Sequence, residues 1–203
     1  MKIICIGRNY AEHAKELGNE LPKEPVVFLK PDTALLKNNA DFYHPSFSNN
    51  IQYEAEIVIR INKEGKNIQE KFAHKYYNQL GIGIDFTARD VQQELKAKGL
   101  PWEKAKAFNH SAPISSFLDI SEIEDIQALD FSLQHNDRIA QQGNTRDMIF
   151  KINHLISYIS TFILLKTGDL IFTGTPSGVG TVKIGDHLKA YINEREMLSV
   201  QVK

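Results

Sequence analysis

Residues 51–61 read IQYEAEIVIRI, a run of β-branched and aromatic side chains interrupted by Glu54 and Glu56. The composition predicts a strand over 52–61. Side chains alternate faces along a strand, so residues two apart project together and the two carboxylates converge on one spot. Such a pair fits the wet face of a half-exposed strand. It also fits a cation site, because a buried carboxylate that meets nothing positive costs several kcal/mol. A third ligand is needed to favour the site.

Outward from this run, further strands are expected at 2–6, 26–29, 79–85, 129–135, 170–173, 188–192 and 197–202, with a hairpin turn at His135-Asn136-Asp137. Three helices are expected between them. The first is NYAEHAKELG, residues 9–18, with Asn9 as cap, Glu12 in the capping-box position and Gly18 closing. The second is TARDVQQELKAKG, residues 87–99, capped by Thr87, and the third spans about 151–163. Strands and helices neither alternate regularly nor segregate, which argues against a Rossmann sheet and for a strand-rich α+β class.

A chain of 203 residues with 42% hydrophobic content buries a real core and most naturally forms one domain, 1–203. With 24 basic and 25 acidic residues the net charge is −1, so nucleic acid is not an expected partner. The one cysteine, Cys5, excludes an internal disulfide and a cysteine-rich zinc site. The N-terminal MKIICIG does not read as a signal peptide, and LISYISTFILL at 155–165 is far shorter than the roughly 20 residues of a membrane span. No membrane association and a cytoplasmic location are expected.

Asp85 follows the apolar run LGIGI and precedes a helix, a position that suits a turn or cap residue and equally suits a third carboxylate. Three carboxylates without Cys or clustered His make a hard, all-oxygen set suited to Mg²⁺ or Mn²⁺ rather than Zn²⁺. Lys104 and Lys106 in LPWEKAKAF share one face if the segment is extended, beside Trp102. His13 and Glu16 stand three apart on the first helix, either as an ordinary surface pair or as an imidazole oriented by a carboxylate. The stretch TGDLIFTGTPSGVGTVKIGD lacks the ending of a P-loop and the context of a dinucleotide fingerprint, so its glycines read as turn residues, with Thr173 or Thr175 as donors to a bound carboxylate.

Taken together, GRNYAEHAKE, PVVFLKP, YEAEI, DFTARDVQ, KGLPWEKAKAF and TGTPSGVG occur in the order seen in the fumarylacetoacetate hydrolase family, and the chain resembles its short branch, which includes acylpyruvate hydrolases and oxaloacetate decarboxylases. The resemblance implies a mixed β-sandwich roll, a short N-terminal lid helix and a homodimer. It implies Mg²⁺ or Mn²⁺ on Glu54, Glu56 and Asp85, with Lys106 as the catalytic lysine. It also implies substrate contacts from Arg89, Gln92 and Thr175, and a water-activating pair in His13 and Glu16.

The activity expected is hydrolysis of a C–C bond in a β-diketo acid of acylpyruvate type, through a metal-bound enolpyruvate. Oxaloacetate decarboxylation and 2-hydroxyhepta-2,4-diene-1,7-dioate isomerisation are alternatives that share an enolate. A non-catalytic module that binds a keto acid or metal is the alternative from another class.

Overall fold

The apolar half of the opening stretch lies at the centre of the molecule. The structure is a computed structural model that describes every residue except 17 and 19. Strand β5 (Ala55–Ile61) lies inside a six-stranded sheet, and all of its residues except Arg60 are buried. A strand covered on both faces has no wet side, which is why it reads as Ile-Val-Ile rather than as strict alternation. Its neighbours are β6 (Tyr77–Ile84) and β12 (Leu170–Phe172). The sheet runs β2 (Val26–Lys30), β1 (Ile3–Gly7), β12, β5, β6, β9 (Leu118–Asp119), and only the β1–β12 pair is parallel.

A four-stranded antiparallel sheet packs on one face, in the order β11 (Arg138–Asn144), β10 (Asp130–His135), β14 (His187–Ile192), β15 (Arg195–Gln201). Its β14 alternates buried and half-buried residues, as a sheet with one covered face requires. Ile57, Ile59, Leu80 and Ile82 meet Leu133, Leu188 and Leu198 in one continuous core, closed by Leu155, Ile156 and Ile159 of helix α4 (Ile152–Ser160). Each such side chain contributes about 1.5–3 kcal/mol on burial. The opposite face of the large sheet holds a smaller cluster around Ile3, Cys5, Val58 and Phe172.

Two short sheets complete the α+β roll. One joins β13 (Gly180–Thr181), β4 (Ile51–Tyr53) and β7 (Thr87–Ala88); the other pairs β3 (Leu35–Leu36) with β8 (Ala112–Pro113). The turn at Asn136 and Asp137 is the expected hairpin, with both residues at positive φ, 51° and 61°, as a twisted two-residue connection demands. Among the described residues no helix is long and apolar enough to cross a membrane.

Several local expectations are corrected. The strand over 52–61 is not continuous: β4 ends at Tyr53 and β5 starts at Ala55 in a different sheet, with Glu54 at the crossing. There the Ala55 N–H bonds to the buried Gln141 side chain at 2.9 Å, and the Glu54 carbonyl accepts from Asp85 N–H at 2.8 Å. Helix α1 spans Ala11–Glu16, shorter than 9–18, and Leu17 of that range lies outside the described residues.

Asn9 does not cap α1, because its side chain is spent elsewhere. Its Nδ2 donates to the carbonyls of Phe150 and Thr173 at 3.0 and 2.8 Å, and its Oδ1 accepts from Phe150 N–H at 2.7 Å. Glu12 is therefore left exposed in the first turn, without a capping box. Gly18 does close the turn, at φ +64°.

Thr87 likewise does not cap. It belongs to β7, its hydroxyl donates to the Asp85 carbonyl, and helix α2 begins two residues later (Arg89–Ala97). Asp90 accepts from Val91 N–H, Asn49 N–H and the Ser48 hydroxyl instead. The segment carrying Lys104 and Lys106 is a helical turn, α3 (Glu103–Lys106), not an extended strand. The two lysines therefore part company: Lys104 is exposed and Lys106 is buried.

Candidate active site

Glu54, Glu56 and Asp85 are 5%, 2% and 1% exposed, which removes the wet-face reading of the E-x-E pair. They meet through the register of the large sheet. Ala55 pairs with Ile84 and Glu56 with Gly83, so the residue after β6 arrives beside the start of β5. One oxygen from each carboxylate lies within 4.8 Å of the others.

The remaining predicted residues gather around this corner. Lys106 Nζ stands 2.8 Å from Glu54 Oε2 and 2.6 Å from Asp85 Oδ2. Arg89, at the start of α2, reaches Glu54 Oε1 through Nη2, Gln92 Oε1 through Nη1 at 2.7 Å, and Gln52 through Nε at 2.7 Å. Thr175 is buried, its hydroxyl accepting from Gln141 Nε2 at 2.8 Å. On α1, His13 Nδ1 lies 3.2 Å from Glu16 Oε2, and the Glu16 carboxylate also accepts from Gly178 N–H at 3.1 Å. All but Glu16 and Asp85 line one small cleft, partly open to solvent, together with Arg8, Phe28, Lys96 and Trp102.

The electrostatics separate the three acids. Burial pushes the Glu54 carboxyl up, but Lys106 and Arg89 outweigh it and hold Glu54 well below the usual carboxylate range. Burial lowers Lys106, and Asp85 and Glu54 more than reverse this, so its ammonium is reinforced. Glu56 goes the other way. Burial, Asp85 and Glu54 all drive its carboxyl well above the ordinary range, and its Oε2 accepts the Gly174 N–H at 2.7 Å. Among the described residues no cationic side chain forms an ion pair with Glu56.

That imbalance is the test of fit for a metal. A carboxylate packed against two others, with no cation of its own, is what a divalent ion bound between all three neutralises, and the all-oxygen set suits a hard cation.

Sequence reasoning passed over Lys30 and Gln141. Lys30 closes β2 in the motif PVVFLKP and is wholly buried against Asp85, where a lysine ending a strand ordinarily reads as surface charge. Gln141 lies on β11, whose pattern gives no sign that one of two consecutive glutamines is buried.

The strand-rich roll carries a buried three-carboxylate corner beside a lysine and a His–Glu pair, an all-oxygen donor set chemically suited to a hard divalent cation. The family described as Fumarylacetoacetate (FAA) hydrolase C-terminal matches residues 2–203, and the chain belongs to it. The chain is 43% identical over 201 residues to mouse (Mus musculus) mitochondrial oxaloacetate tautomerase FAHD1, covering 99% of this chain and 91% of that protein. It is 45% identical over 192 residues to a mitochondrial oxaloacetate decarboxylase of Dictyostelium discoideum, covering 94% and 88%. The crystal structure of fumarylpyruvate hydrolase from Pseudomonas aeruginosa in complex with Mn²⁺ and pyruvate superposes with a TM-score of 0.95 at 36% identity, covering all of this chain and 89% of that one.

Proposed function

We propose that this chain is a divalent-cation-dependent enzyme that forms the enolate of a short β-keto acid, with oxaloacetate as the substrate and keto–enol tautomerisation as the principal reaction. The observation that carries the reading is Lys106 Nζ, placed 2.6–2.8 Å from two carboxylates of the three-acid corner and facing the cleft. Relatives named for oxaloacetate at 43% and 45% identity support that substrate, and the pyruvate complex of a neighbour supports a small 2-keto acid in this cleft.

Glu54, Glu56 and Asp85 hold Mg²⁺ or Mn²⁺, which when bound supplies Lewis-acid polarisation of the keto acid's oxygens. Arg89 and Thr175 bind a carboxylate of the substrate, and Gln92 fixes the Arg89 guanidinium through its 2.7 Å bond. The Lys106 ammonium stabilises the oxygen on which negative charge develops. His13 has Nδ1 committed to Glu16, so Nε2 is the nitrogen that takes the C3 proton of the keto form while the enolate oxygen gains one from water, and that gives the proton back to C3 in the reverse direction as the enol oxygen loses its own. Decarboxylation passes through the same enolate and needs no base.

A second reading, hydrolysis of an acylpyruvate, is favoured by one observation. The His13–Glu16 pair, with Glu16 pinned to Gly178 N–H, is built to activate a water as readily as to move a carbon-bound proton.

The test is a panel of enol-oxaloacetate, keto-oxaloacetate and acylpyruvates, each with Mg²⁺, with Mn²⁺ and with chelator. Metal-dependent loss of the enol absorbance without pyruvate release identifies the tautomerase. His13→Ala should abolish tautomerisation and hydrolysis and leave decarboxylation. No metal-dependent turnover on any member of the panel sinks the proposal.

A further inference from the structure

Lys30 has no motif-based role, yet it is the most enclosed cation in the molecule's acidic corner. Its side chain is 0% exposed and Nζ lies 2.8 Å from Asp85 Oδ1. The same nitrogen donates to the carbonyls of Phe86 at 3.2 Å and Ser111 at 3.1 Å, to the Ser111 hydroxyl at 2.9 Å, and to the carbonyl of Lys106. The three ammonium hydrogens are shared among those four oxygens and Oδ1 accepts no hydrogen bond, so the approach to Oδ1 is a close charge contact. The ammonium is fixed by the chain and cannot follow the carboxylate if the carboxylate turns.

The other two acids are held in the same manner. Arg89 takes Glu54 Oε1, and Gly174 N–H takes Glu56 Oε2 at 2.7 Å. Each carboxylate thus has one oxygen engaged by a fixed outer group and one left over: Glu54 Oε2, Glu56 Oε1 and Asp85 Oδ2. Lys106 touches the first and third of these from the cleft side.

We infer that Lys30 is a positioning residue for cation selectivity, holding Asp85 to a single available oxygen so that the corner offers three single oxygens and no bidentate carboxylate. Mg²⁺ and Mn²⁺ accept six ligands in near-octahedral geometry, which three single oxygens begin correctly. Ca²⁺ prefers six to eight, commonly including a bidentate carboxylate. Lys30 and Arg89 deny it that. The inference rests on the proposed cation site and adds which ion that site refuses.

The test uses the full chain and the metals alone. Mn²⁺ binding is followed by loss of the free-ion EPR signal, and Ca²⁺ is titrated as competitor, giving the ratio of the Ca²⁺ to the Mn²⁺ dissociation constant. Lys30→Met, checked for folding by circular dichroism, should lower that ratio by about tenfold, the lower end of what an outer-shell partner contributes. A role limited to charge shifts both constants together and leaves the ratio alone; a ratio within about twofold of wild type in folded Lys30→Met therefore overturns the inference.

If Lys30→Met does not fold, Ser111→Ala is the deciding variant. It removes the hydroxyl 2.9 Å from Nζ while keeping the lysine, and should lower the ratio by about threefold; no change overturns the proposal. If wild-type protein binds no Mn²⁺ at all, the cation site itself falls, and this inference with it.

Discussion

The carboxylate corner and helix α1 face the same cleft but are held in opposite ways. The corner is assembled from β5, the end of β6, and side chains from β2, α2 and α3, and every acid in it is buried and engaged by a fixed partner. Helix α1 has six residues, below the length at which a helix is stable in water, and its tip is secured by Glu16 on Gly178 N–H. Charge placement tolerates no slack, so it is built into the sheet. In the proposed reaction proton or water handling needs access, and the pair assigned to it stands on a short element.

The comparison is broken most severely by removing an acid. Asp85→Ala should reduce Mn²⁺ affinity by more than about a hundredfold in calorimetry, because one of three protein ligands is gone and Lys30 is left facing no carboxylate. Retained affinity would mean that the corner is not the binding site.

Next in size is Lys106→Met, which strips Glu54 and Asp85 of a shared partner. Metal-free stability should fall by about 3–5 kcal/mol in urea titrations, as for any buried ion pair that loses one member. Added Mn²⁺ should restore most of it by mass action, giving a larger thermal shift than in wild type. Equal shifts in the two proteins would count against Lys106 and metal serving the same acids.

Hydrogen exchange sharpens the contrast directly. Amides of residues 11–16 should exchange orders of magnitude faster than those of β5 and β6, and Mg²⁺ with oxalate should slow them selectively. Equal protection with and without Mg²⁺-oxalate removes the idea that α1 closes over ligand. Gly178→Ala tests the latch by itself. At φ +96° a Cβ would run into the Ala140 carbonyl, with a conformational penalty of about 1–2 kcal/mol. It should depress the His13-dependent reaction while leaving Mn²⁺ affinity unchanged.

The smallest effect belongs to Glu12→Ala, within about 0.5 kcal/mol in thermal unfolding, since Glu12 is exposed and completes no capping box.

Much of this was legible from residue order alone. The apolar strands and the hairpin at Asn136-Asp137 announce themselves through periodicity and turn chemistry, whereas the three acids stay open between a wet face, a turn residue and a cation site until the family resemblance joins them. Three things were not legible. Asn9 and Thr87 carry the residue types of helix caps, but distant backbone groups compete for Asn9 and a turn claims Thr87, and no local pattern reveals which partner wins. The break at Glu54 depends on Gln141, 86 residues away, reaching the Ala55 N–H. Lys30 is burdened with burial that Asp85, three carbonyls and the Ser111 hydroxyl make tolerable, and those come from two other segments of chain.

Asn9 has a mechanical consequence. Its carboxamide is bonded on both sides, to Phe150 and to the carbonyl of Thr173, the residue next to the Gly174 whose N–H holds Glu56. The root of α1 is therefore riveted to the frame of the acidic corner, and at its far end Glu16 accepts from Gly178 N–H. A six-residue rod is about 9 Å long, so a swing of about 30° about that rivet carries Glu16 some 5 Å, far enough to release Gly178. Were the helix to open in this way, Asn9 would be its pivot and the three acids would stay where they are.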